Sequence, residues 1–257
     1  MTLSDAPPII TARFGHTDSH TIERSLATGG YEGLRAALAK TPTEVGDEVK
    51  AASLLGRGGA GFPAGTKWGF CPPGVWPRYL VVNGDEGEPS TFKDRMLIER
   101  DPHQLVEGVV ISAYAIGCNL AFVYLRGEFA AGYDRLTQAI ADARAKGFVG
   151  TDILGSGFDL EIVVHRGAGA YICGEETALL ESLEGARGMP RLKPPFPAIE
   201  GLYAKPTVVN NVETLSTVPH IVKMGGEAYS KIGVNRSTGT RLVALSGHVK
   251  RPGNYEV

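Results

Sequence analysis

Apolar residues along this chain fall into two rhythms. Val45, Val49, Ala52 and Leu55 are spaced like one face of a helix, and Thr41-Pro42-Thr43 stands where that helix would begin. Leu34 and Leu38 mark a shorter amphipathic helix over 31–39. Tyr79-Leu80-Val81-Val82-Asn83 is instead a continuous apolar run stopped by Gly84, the pattern of a buried strand. Asp101-Pro102-His103-Gln104 then reads as a helix start, with Asp as cap and Pro in the first turn. That helix carries Leu105, Val109, Ala113 and Ile116 and closes at Gly117. A second strand is predicted over 120–125, a helix over 129–146 and a third strand over 160–165. Strands alternating with helices in this way predict an α/β fold, Rossmann-like, with a parallel sheet and flanking helices. Residues 1–30 show little periodicity and are expected to form an extended arm. Leu242 to Val249 alternates, turns at 250–254 and begins another strand at Tyr255. A lone hairpin is barely stable in water, so this reading expects a fragment whose second domain starts near residue 239.

The densest local signal lies between these elements. Gly56-Arg57-Gly58-Gly59-Ala60-Gly61-Phe62-Pro63-Ala64-Gly65-Thr66-Lys67-Trp68 holds five glycines within ten residues. Peptide N–H groups without side chains above them can cradle a phosphate. Arg57 and Lys67 bracket the run with positive charge, and Phe62, Trp68 and Phe70 add flat apolar surface. Gly56-x-Gly58-x-x-Gly61 spells a dinucleotide fingerprint, but that fingerprint should follow a strand and open a helix. Here a helix precedes it, and Pro63 and Gly65 should spoil a helix after it, which counts against an ordinary Rossmann dehydrogenase.

Two strand ends carry further chemistry. Asp85, Glu86 and Glu88 follow the first strand directly, at the edge where α/β proteins bind ligands; a solvated acidic turn is the plainer reading. The third strand runs into Gly167 to Ser182, where Glu175 and Glu176 fall in a first helical turn favourable to carboxylates. Asn210 or Asn211 is placed to cap a following helix, and such an end can also seat a phosphate.

Bulk properties narrow the classes. The 257 residues are 43% hydrophobic and carry a net charge of −2, so no basic field suggests nucleic acid. Cys71, Cys118 and Cys173 are scattered, which predicts free thiols and no metal site. The apolar stretch 105–125 is interrupted by Glu107 and Asn119 and is expected to be a buried helix and strand, not a membrane span.

The blocks 56–68, 83–89 and 167–182, supported by Asn210-Asn211-Val212-Glu213-Thr214, resemble the flavin-carrying, NADH-binding subunit of respiratory complex I, the NADH–quinone oxidoreductase. Diaphorase subunits of NAD-dependent formate dehydrogenases and NAD-reducing hydrogenases are similar. The resemblance implies one FMN that takes a hydride from NADH and passes electrons to iron–sulfur clusters. By position it assigns FMN contacts to Gly56, Arg57, Gly58, Lys67, Asn83, Asp85, Glu86, Tyr171, Gly174, Glu175, Glu176, Asn210, Asn211 and Thr214. It assigns the NADH side to Gly59, Ala60, Phe62, Phe70, Glu88, Lys193 and Phe196, with Glu88 disfavouring a 2′-phosphate. Hydride passes directly between cofactors, so no catalytic acid or base is expected; Glu175 is a candidate tuner of the flavin. The family continues through a ubiquitin-like β-grasp domain to a domain holding a [4Fe–4S] cluster, and the cysteine run for that cluster is not in this sequence. The implied divisions are an arm over 1–30, an FMN- and NADH-binding domain over 31–238, and the start of a truncated β-grasp domain over 239–257. Neighbouring iron–sulfur subunits would be its partners, in the cytoplasm at the inner face of the cell membrane. A flavin-free, non-catalytic fragment is the alternative of another class.

Overall fold

The computed structural model describes residues 7–234 and 237–257. Residues 1–6 of the expected arm and residues 235–236 of the expected nucleotide domain lie outside the described residues.

The rest of the arm is not extended. It runs through turns into helix α1 (Ile22–Ala27), whose cap Thr21 accepts the Arg24 N–H. Only Ile22 and Ser25 of α1 are buried, too few to leave a period in the sequence. Helix α2 spans Glu32–Leu38. Helix α3 (Pro42–Ala51) starts where predicted, on a capping box of Thr41 and Glu44. It stops short of Leu55 because Ser53 takes a positive φ of 52°. The glycine run then contains a short helix, α4 (Ala64–Trp68), against expectation. Pro63 sits just before its first turn, where a missing N–H costs nothing. Gly65 is needed there, since a Cβ would lie 2.6 Å from the Lys50 backbone nitrogen.

Strand β1 is Tyr79–Gly84. Helix α5 (Lys93–Arg100) went unseen in the sequence because it has no local cap. Its first N–H groups are satisfied by Glu86, which accepts from Asp94 at 2.9 Å and Arg95 at 3.1 Å. Helix α6 (Pro102–Ile116) begins as predicted, with Asp101 accepting the Gln104 N–H. Strand β2 (Leu120–Leu125), helix α7 (Ala130–Ala145) and strand β3 (Glu161–Arg166) continue the alternation, followed by helix α8 (Glu176–Leu183). Thr207–Asn211, expected only as a lead-in to a helix, is a fourth strand, β4. Helix α9 (Val212–Met224) follows at once, then α10 (Gly226–Ser230). The short strands β5 (Gly233–Val234) and β6 (Ser237–Thr238) pair with each other, as do β7 (Leu242–Leu245) and β8 (Gly253–Glu256).

The four-stranded sheet has the order β3-β2-β1-β4, all parallel. Leu80, Val82, Ala121, Val123 and Val208 join the main core with α2, α3, α6, α7 and α9. Val81, Tyr124 and Val209 point the other way, into a smaller core with Leu179, Leu180 and Leu183 of α8. The α/β class is therefore as expected, with helices on both faces. Gly108 lets α6 cross α9, because a Cβ there would meet the Leu215 carbonyl oxygen at 2.0 Å. The hairpin β7–β8 does not stand alone: Glu256 accepts N–H bonds from Ile9, Ile10 and Thr11, each at 2.9 Å. All three cysteines are buried and free. Among the described residues no helix is long and apolar enough to cross a membrane.

A buried acid in α6 gives the fold a pH dependence. Glu107 accepts the Tyr31 and Leu34 N–H groups at the start of α2, at 2.8 and 3.0 Å. Burial pushes its carboxyl from the usual 4.5 up to about 7. The folded chain then holds a proton that the unfolded chain has released, so stability falls as pH rises from about 4.5 to 7. Urea denaturation at pH 5 and pH 8 should show wild type losing up to about 3 kcal/mol relative to Glu107→Gln. Parallel pH profiles for the two proteins would refute this.

Candidate functional site

Chain direction places the site. β2 and β3 lie on one side of β1 and β4 on the other, so the connections part at the carboxyl ends of β1 and β4. Ligands of open α/β sheets sit in such a crevice. Asn83 is the register partner of Asn211, and Val82 that of Asn210. A hollow of about 760 Å³ opens there, bounded on its far side by the glycine run and by the loop carrying Lys193 and Phe196. Its lining includes every residue assigned to a cofactor by position except Tyr171, while Trp68, expected to add flat surface beside Phe62 and Phe70, is buried instead. Tyr171 lies outside on the surface, its hydroxyl donating to Glu88.

The glycine run forms a bare wall. Gly59 and Gly61 take φ of 129° and 69°, and nothing lies within 4 Å of where their Cβ atoms would be. A Cβ on Gly58 would sit 3.1 Å from Asn211 Cβ, so glycine allows the loop to close on β4. Phe62 and Phe70 stand half exposed at the mouth, their ring centres 5.8 Å apart.

Charge is arranged differently from the expected bracket. Arg57 does not offer its guanidinium to the hollow: Nη2 donates to the Thr238 and Thr240 carbonyls at 2.8 and 3.0 Å. Its backbone N–H donates to Thr214 Oγ1 at 2.9 Å. Lys67 Nζ donates to the Val209 carbonyl at 3.1 Å and stands 3.4 Å from Glu176. Lys193 Nζ bridges Glu175 at 3.1 Å and Glu176 at 2.8 Å. Glu175 also caps α8, accepting from Thr177 and Ala178 at 2.8 and 2.9 Å. Burial works against its ionisation, but these bonds and Lys193 win and hold its carboxyl below the usual range. Asp85 shows the reverse: burial lifts its carboxyl to about 6, with Arg126 3.8 Å away only partly opposing. Glu86 borders the hollow, yet both its carboxylate oxygens are engaged by α5.

Sequence reasoning missed a cluster that α5 brings to the floor. Lys93 Nζ lies 2.8 Å from both Asp94 and Glu213, and Asn211 Nδ2 donates to Asp94 at 2.6 Å. Burial alone would depress the Lys93 ammonium, but the two carboxylates hold it above its ordinary value. Lys93 and Asp94 alternate with apolar residues only weakly, so the one usable signal was a charged pair just past an acidic strand end. No group of side chains fit to hold a metal is present among the described residues.

A parallel-sheet switch point, a bare glycine wall, aromatics at the mouth and lysines paired with acids define a nucleotide-binding α/β protein. The chain belongs to the family described as the Nuo51 FMN-binding domain, whose model matches residues 49–220. It is 59% identical over 238 residues to an NADH-quinone oxidoreductase subunit of Aquifex aeolicus (strain VF5), covering 93% of this chain and 56% of that protein. The corresponding subunit of Rhizobium meliloti (strain 1021) is 56% identical over 252 residues, covering 97% and 60%. A crystal structure of NAD+-reducing [NiFe]-hydrogenase in the H2-reduced state superposes with a TM-score of 0.78 at 40% identity, covering 97% of this chain and 39% of that one. The chain thus spans little more than half the length of these curated relatives.

Proposed function

We propose that the hollow holds FMN, that NADH lies against it, and that the protein is the NADH-oxidising part of a quinone-linked electron-transfer complex. The observation that supports this most is one 760 Å³ hollow shared by the bare glycine wall and by Asn83, Asn210 and Asn211. The residues present fit a flavin nucleotide. The open backbone at Gly59 and Gly61 suits a phosphate or ribityl chain, and Lys67 lines the same hollow as a cation. When bound, FMN supplies the hydride-accepting chemistry, and the protein contributes position and field. Phe62, Phe70 and Phe196 offer aromatic faces to the dinucleotide, while Glu88, steadied by Tyr171, stands where a ribose hydroxyl can donate to it. Lys193 and Lys67 neutralise Glu175 and Glu176 in part, which keeps the pocket from becoming strongly anionic.

On this reading the FMN side is Gly56, Arg57, Gly58, Lys67, Asn83, Asp85, Glu86, Gly174, Glu175, Glu176, Asn210, Asn211 and Thr214, with Arg57 and Glu86 acting through backbone and scaffold. Iron–sulfur subunits are the partners, peripheral to the inner face of the cell membrane, and the strands after residue 239 open a ubiquitin-like domain. The hydrogenase likeness at 40% identity supports a diaphorase role as a second reading, but 59% identity to an NADH-quinone oxidoreductase component favours the quinone-linked one.

The test is to titrate the purified protein with FMN and then add NADH without oxygen. The flavin absorbance band should become structured on binding and bleach with NADH. Bound flavin that NADH leaves coloured would defeat the hydride assignment, and no uptake of FMN would support the flavin-free alternative.

A further inference from the structure

Three asparagine side chains meet the hollow, and two are already committed. Asn83 Nδ2 donates to the Gly174 carbonyl at 2.9 Å, and its Oδ1 accepts the Asp85 N–H at 3.1 Å. Asn211 gives Nδ2 to Asp94 and uses Oδ1 to cap α9 through the Glu213 N–H at 3.0 Å. Asn210 differs. Its Oδ1 accepts the indole N–H of Trp68 at 2.8 Å, and its Nδ2 has no partner among the described residues.

The indole fixes which way this amide points. A tryptophan N–H can only donate, so the atom facing it must be the oxygen. The amide nitrogen then faces away from Trp68, and Asn210 lines the hollow. Both residues are nearly buried, so neither swings freely. We propose that Trp68 is a positioning residue that locks Asn210 as a hydrogen-bond donor toward the ligand, selecting an acceptor-only group such as a phosphate oxygen or a flavin carbonyl. This rests on the flavin reading above. It also gives α4 a second task, since the helix bearing Lys67 carries the orienting indole as well.

The test compares wild type with Trp68→Phe and Asn210→Asp. Phenylalanine keeps a ring in the core but removes the N–H, so the amide can turn over; FMN affinity should fall about tenfold, the value of one such bond. Aspartate keeps the oxygen that Trp68 needs and replaces the donor by an acceptor, so FMN binding should fall further. Wild-type affinity in Asn210→Asp would overturn the assigned donor, and wild-type affinity in Trp68→Phe would overturn the role of Trp68. Riboflavin titrated beside FMN separates the two acceptors. A loss confined to FMN places the bond on phosphate, and a loss shared with riboflavin places it on the ring or ribityl chain. If wild type takes up no FMN, the parent reading fails alone, and NMR of the free protein still judges this one. The chain has two tryptophans, so the Trp68 indole signal is easily assigned. It should resist hydrogen exchange and move in Asn210→Asp; a freely exchanging Trp68 N–H would overturn the proposal.

Discussion

Gly108→Ala should melt well below wild type, although alanine is the better helix former. In the middle of α6 the swap gains about 1 kcal/mol of helix propensity. Against that, the new methyl would start 2.0 Å from the Leu215 carbonyl oxygen, and the Pro219 ring lies 3.4 Å away on the same side. A backbone carbonyl at one point and a rigid proline ring at the other leave nothing flexible to yield, so α6 and α9 must move apart along their whole crossing. A net loss of about 3 kcal/mol is expected, at the upper end of overpacking costs. For a chain of this size that is a fall of roughly 10 °C in Tm. Gly46→Ala is the internal control. Gly46 lies in α3 with nothing within 4 Å of its missing Cβ, so that variant should melt slightly higher. A Gly108→Ala protein that matches wild type in a thermal scan would mean the two helices slide past each other easily.

Lys93→Met should be the second large loss, and it should grow with pH. The ammonium is almost enclosed and stands 2.8 Å from each of two enclosed carboxylates. Methionine fills much the same volume but leaves both carboxylates without a counter-ion. Removing one partner of a buried pair costs about 3–5 kcal/mol. Burial already raises the Glu213 carboxyl, and Lys93 is the main group opposing that rise. Without it, Glu213 binds a proton more tightly in the folded chain than in the unfolded one, so the variant loses stability as pH climbs. Thermal melts at pH 5.5 and pH 8 should show the deficit widening at the higher value. A deficit that shrinks toward pH 8 would show that the cluster holds a proton already.

The legible parts of the fold were those with local causes. Thr41 with Glu44, Asp101 with Pro102 and Gln104, and Gly117 after Ile116 announce helix ends from residues three or four apart. The strands over 79–84 and 120–125 were visible because residues on both faces are buried and Tyr79 to Val82 and Leu120 to Leu125 are apolar runs. What stayed hidden depends on distant partners. The cap of α5 comes from Glu86 across a loop, and α4 survives a glycine because α3 lies against it. β4 carries two asparagines and a threonine in five residues, so its composition hides a strand that only the sheet reveals. The site divided in the same way. Residue types at strand ends showed which side chains would gather, but not which atoms would remain free. Arg57 spends its guanidinium on the 238–240 segment, and Asn211 spends its amide on α5 and α9, choices set by chain that lies far off in sequence.

The pairing of Asn83 with Asn211 bears on the order of events in a newly made chain. More than a hundred residues must be synthesised between those two partners, and closing so long a loop is slow. The glycine wall, which closes on Asn211 and donates from the Arg57 N–H to Thr214, is therefore completed only when the last parallel strand arrives. Prosthetic-group loading becomes a late event in biogenesis, possible only after the ribosome has released residue 214, and pulse-labelled hydrogen exchange would see the 207–214 amides gain protection last.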